Sequence, residues 1–174
     1  MLSSLILKFA VFTLVFAHVS AHSLMGPPPM TASECDEGAP LPFQSYHLHV
    51  LFWGSSESST SAALALRSQF ISDFSNSTSP LPSCDILPSD PAPSQLTLCS
   101  FGVSYVPSGP FLTAQWSFFI PTDMYFGAMT WAMQRRGELD VFIHGNSGCS
   151  TLDHVRWPLV GGVTWPIDSS VLSS

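Results

Sequence analysis

The run Ser45–Gly54, SYHLHVLFWG, restricts this chain more than any other segment. Its period of two is that of a β-strand, in which residues i and i+2 share a face. Tyr46, Leu48, Val50 and Phe52 then form an apolar face, and His47 and His49 stand side by side on the other. A pair of imidazoles on a sheet face is either a hydrogen-bonded pair on a half-exposed surface or part of a metal site. A two-residue motif does not separate these readings.

The 174-residue length suits one folded unit behind a leader. Met1–Lys8 carries one positive charge, Phe9–Ala17 is apolar, and Val19-Ser20-Ala21 places small residues where a signal peptidase cuts. The chain therefore divides into a signal peptide at 1–21, an irregular Pro- and Gly-rich arm at 22–43, and a domain at 44–174. No later segment is apolar enough for stable membrane insertion. Of the five basic residues, Lys8 leaves with the leader, so four face twelve acidic ones. A phosphate backbone would be repelled, which excludes nucleic acid as a partner. Only 10% of residues are charged, as in a secreted globular domain rather than a disordered one. Asn76-Ser77-Thr78 is a glycosylation sequon.

Cys35, Cys84, Cys99 and Cys149 imply two disulfides in an exported chain, with three pairings open. The short loop favours Cys84–Cys99, which leaves Cys35–Cys149. A cysteine zinc site is the poorer reading because no CxxC pair exists.

Coarse periodicity supplies the topology. A first strand spans Gln44–Trp53. Thr60 is expected to cap a helix over Ser61–Phe74, with Ala63, Leu66, Phe70 and Phe74 on one stripe. Prolines 80, 82, 88, 91 and 93 mark a long loop. Strands over Gln95–Tyr105 and Ala114–Ile120 flank a turn at Pro107–Pro110. Thr122 or Asp123 is expected to cap a helix that runs to about Arg136 and stops at Gly137. A fourth strand spans Leu139–His144, followed by a Gly-rich turn and a short tail. The order β-α-β-β-α-β is a ferredoxin-like α+β sandwich, an antiparallel sheet with two helices on one face. Right-handed crossovers give the strand order four, one, three, two. Strands one and four are then neighbours, and one facing of strand four brings His144 to His47 and His49. His154 lies beyond, in HGNSGCSTLDH, where a loop that folds back aims it at the strand ends.

YHLHVLFW, RRGELDVFIHGNSGCSTLDH and WPLVGGVTWPID together resemble the DOPA 4,5-dioxygenase family, small ferredoxin-like extradiol dioxygenases. The resemblance covers roughly Gln44 to Leu172. It implies that a catechol such as DOPA and dioxygen meet at a non-heme Fe(II), with zinc or copper as other metals the site could take. His47, His49 and His144 are the implied metal centre. His154 is either a ligand or the acid–base group, and His49 is the other acid–base candidate. The family usually carries Gly-Pro-His-Pro before the second strand; PSDPAP here places Asp90 where the histidine would stand. Asp90 then either supplies a carboxylate, in a two-histidine, one-carboxylate type of site, or marks a domain that has kept the fold as a non-catalytic secreted binding module. Export is a second departure from a family of mainly intracellular proteins. A separate reading starts at the leader: cleavage after Ala21 exposes His22, whose amine and imidazole can chelate copper as in monooxygenases with a histidine brace. An open sheet edge allows a homodimer.

Overall fold

The computed structural model describes residues 27, 29–31, 33–35, 41–75, 80–86 and 96–172. The leader, His22, Asn76 and Asp90 lie outside the described residues.

The fold is built around β1 (Ser45–Phe52), whose alternation is satisfied on both sides. Its apolar residues Leu48, Val50 and Phe52 join Trp116, Phe118 and Ile120 of β3 (Ala114–Pro121) and Val141 and Ile143 of β4 (Asp140–Asn146) in one core. Two helices cover this face. From α1 (Glu57–Phe74) come Ala63, Leu66 and Phe70; from α2 (Tyr125–Arg135) come Ala128, Met129, Trp131 and Ala132. Phe70 holds the layers together, stacked on Phe118 at 4.0 Å and edge-on to Trp131 at 4.9 Å. The Trp131 indole N–H donates to Asp73 of α1 at 2.7 Å.

The sheet is antiparallel with order β2-β3-β1-β4-β5, where β2 is Cys99–Ser100 and β5 is Leu159–Gly161. The four expected strands take their expected order, and β5 adds a fifth outside β4. The fold is thus an α+β sandwich of ferredoxin-like type.

Several boundaries differ from the sequence expectation, each for a local reason. The helix α1 starts at Glu57, because Ser56 rather than Thr60 is the cap: its hydroxyl accepts the Ser59 amide at 3.3 Å. Neither Thr122 nor Asp123 caps α2. A 3-10 turn over Thr122–Met124 leads into it, and the Thr122 hydroxyl donates to the Gln44 carbonyl instead. Gly137 does end this helix, at φ +59°, a conformation that favours glycine. The expected long second strand keeps only two ladder residues. Beyond them, Phe101 N–H still donates to Ser117 O, and pairing resumes as a single bridge between Ser104 and Gln115. The segment read as a loop after His144 contains a short helix, α3 (Ser150–Val155), so the described residues hold three α-helices rather than two. This third helix lies against β4 on the histidine side of the sheet, since His154 packs on His144 and Phe142.

Disulfides join Cys35 to Cys149 and Cys84 to Cys99. Such bonds persist in oxidising compartments. Among the described residues no helix is long and apolar enough to cross a membrane.

Candidate metal centre

The second face of the sheet carries the site. The antiparallel register places His47 opposite His144 on β4 and Phe119 on β3, and His49 opposite Phe142 and Ser117. Three imidazoles from two neighbouring strands therefore converge. One atom from each of His47, His49 and His144 can be chosen so that all lie within 4.8 Å of one another. The Nε2 atoms of His49 and His144 are 3.3 Å apart. Two nitrogens bound to one ion at ordinary bond lengths are separated by about 3.0–3.4 Å, so this pair has the spacing of shared ligands. All three residues are neutral-donor imidazoles, a set suited to iron, zinc, copper or nickel.

His154 reaches the same cluster from α3. Its ring lies 3.9 Å from that of His144, and its Nδ1–H donates to the Ser150 carbonyl at 2.8 Å. It stands beside the three-histidine set rather than within it. Burial pushes the His154 imidazole down to about 4, against a smaller upward pull from the Ser150 carbonyl. The ring is neutral at physiological pH. None of the four histidines is more than 3% exposed.

The helix that delivers His154 is anchored at its start. Ser147 donates to Asp153 twice, from its amide at 3.0 Å and its hydroxyl at 2.7 Å. Burial raises the Asp153 carboxyl to about 6, and the two Ser147 bonds oppose that rise. The disulfide at Cys149 precedes the helix directly.

Aromatic rings wall the cluster. Phe111 lies 4.5 Å from His49, and Phe101 is edge-on to His47 at 5.4 Å. Phe142, Phe111 and Leu51 pack together next to His49. Beside this wall is a cleft of about 220 Å³, lined by Asp85, Phe101, Ser104, Ser108, Gln115 and Ser117 among others. Tyr46, by contrast, faces the helical layer and packs against the main core.

The strand facing required for convergence is therefore realised, and His154 returns to the cluster on the helix α3 rather than on the expected loop. Sequence reasoning missed Gln115, whose Oε1 lies 2.6 Å from His49 Nδ1. The available signal was the alternation of β3, where Gln115 and Ser117 are polar positions on an otherwise apolar strand.

The family model for the Dopa 4,5-dioxygenase family matches residues 46–171. This chain belongs to that family. The match takes in all four histidines of the cluster, and it supports a dioxygenase-type function for the domain. Among solved structures, a candidate dioxygenase from Nostoc punctiforme is similar, with a TM-score of 0.55 and 16% identity over 74% of this chain and 90% of its own. At that identity the likeness speaks to the fold. No curated protein matches the chain.

Proposed function

We propose that this family member is an exported, metal-dependent extradiol dioxygenase acting on a catechol. The observation that carries the proposal is the 3.3 Å spacing of the His49 and His144 Nε2 atoms, with His47 opposite His144 in the same cluster. His47, His49 and His144 would hold the ion, for which Fe(II) is the metal of choice. A ferrous ion supplies Lewis acidity toward the two catechol oxygens and electrons toward dioxygen.

The remaining steps belong to the protein. His154, adjacent to His144, is the group that would exchange a proton with a substrate hydroxyl. The Ser150 carbonyl holds Nδ1–H, so Nε2 is the atom that exchanges the proton. Phe111 and Phe142 exclude water from the imidazoles, which strengthens electrostatic interactions there. The neighbouring cleft, two of whose lining residues, Phe101 and Gln115, also touch His47 and His49, would give a small aromatic compound room beside the cluster. Export rests on the leader, the two disulfides and the sequon at Asn76.

The test is anaerobic loading with Fe(II), metal quantification, and oxygen uptake with a panel of catechols. One iron per chain with catechol-dependent uptake and a ring-opened chromophore is expected. A chain that takes up no metal and consumes no oxygen would overturn the reading in favour of a binding module that retains the fold.

A further inference from the structure

Gln115 lies on β3, between the histidine cluster and the cleft, and is largely buried. Its amide bridges two groups. The Nε2 group is 3.2 Å from the Ser108 carbonyl, and Oε1 is 2.6 Å from His49 Nδ1. A backbone carbonyl only accepts, so the NH₂ end of the amide must face Ser108. The oxygen end therefore faces His49, and an amide oxygen also only accepts. His49 Nδ1 must then carry the hydrogen, which leaves the Nε2 lone pair directed at His144. At His144 the Gly145 carbonyl, 3.0 Å from Nδ1, imposes the same arrangement. The two Nε2 atoms then meet at 3.3 Å, a separation at which two imidazoles can share one ion.

We infer that Gln115 is a positioning residue that fixes the tautomer and orientation of His49 so that Nε2 is available for coordination. The role rests on the metal-centre reading above, although the tautomer itself is a property of the metal-free protein. Ser108 completes the device from the turn before β3, by fixing the amide end for end. Partners of this kind behind a ligand histidine typically change metal affinity 10–100-fold when removed, roughly the range expected here.

The variants Gln115→Met and Gln115→Glu separate this role from simple packing. Methionine keeps the shape and removes the acceptor; glutamate keeps an acceptor and strengthens it. In metal-free wild-type protein, nitrogen-15 NMR of histidine should show His49 protonated at Nδ1. In Gln115→Met that signal should move toward the other tautomer, and Fe(II) and Zn(II) affinity should fall about 10–100-fold. Gln115→Glu keeps an acceptor toward His49 but loses the donor toward the Ser108 carbonyl, so it should keep the Nδ1–H tautomer and bind both ions more tightly than Gln115→Met. An unchanged tautomer and affinity in Gln115→Met would overturn the assignment. If Gln115→Met does not fold, Gln115→Glu decides: a changed His49 tautomer there also overturns it. A wild-type protein that binds neither ion while keeping the Nδ1–H tautomer would instead overturn the metal centre and leave the Gln115–His49 relationship standing.

Discussion

His47 and His144 are direct partners across the β1–β4 ladder, and their rings meet edge to face with centroids 5.0 Å apart. Each comes from a different strand, so neither can be replaced by a neighbour in sequence. Both rings are on the face opposite the main core. His47→Ala or His144→Ala should therefore lower Fe(II) or Zn(II) affinity by more than about 100-fold, beyond the effect of losing an outer partner. The circular dichroism spectrum of each variant should remain that of the wild type. Unchanged metal content in either variant, measured by elemental analysis, would refute the assigned ligands.

The pH dependence of stability in the metal-free protein should contain two opposed contributions from adjacent residues. Asp153 has its carboxyl raised to about 6, from an ordinary value near 3.8. Its contribution is most favourable when protonated in both states, below pH about 4, and declines as pH rises toward about 6. His154 has its imidazole lowered to about 4 from 6.5. Its contribution is complete above about 6.5 and declines as pH falls toward about 4. Between these values the two slopes oppose each other. Asp153→Asn should remove one, so that thermal stability falls more steeply on acidification than in wild type. His154→Gln should do the reverse. Melting temperatures from pH 4 to 7, with chelator present, check both.

The disulfides should differ in strength and in consequence. Cys84–Cys99 closes a separation of 15 residues, worth about 3 kcal/mol by loop entropy. Cys35–Cys149 closes 114, for which the same relation gives nearly 5 kcal/mol. Paired Cys→Ser replacements compared by urea denaturation should show this order. Loss of the Cys35–Cys149 bond also frees the start of the helix that carries His154, whereas the three ligand histidines are on β1 and β4. Metal affinity should accordingly persist in that variant, while turnover with a catechol falls.

Gly145 follows His144 and lies under Phe43. A Cβ at this position would collide with the Phe43 ring. Phe43 is itself set edge-on between Tyr46, at 5.7 Å, and Trp157, at 5.9 Å, so it has little room to move aside. Gly145→Ala should cost about 1–3 kcal/mol, the usual range for overpacking. Because the Gly145 carbonyl accepts the His144 Nδ1–H, metal affinity should fall as well. A variant with wild-type melting temperature and affinity would show that the backbone there is looser than its packing implies.

What the sequence by itself determined is what periodicity and local chemistry express. The alternation in SYHLHVLFWG separates an apolar face from an imidazole face, and the element order with right-handed crossovers makes β1 and β4 neighbours. Those two facts put His144 on the strand beside His47 and His49 and left two facings open; the ladder register, which sets His47 opposite His144, selected the one that joins them. Cap positions were less legible, because the serine-rich stretch before α1 offers several equivalent caps and only the backbone path selects Ser56. The tertiary structure alone decided the rest. It set the 3.3 Å meeting of two Nε2 atoms and the return of His154 on a short helix held by Ser147 and Asp153. It also placed Gln115 behind His49, 66 residues away along the chain. Side-chain distances across strands depend on rotamers and on packing from both layers, and no local pattern in the chain encodes those.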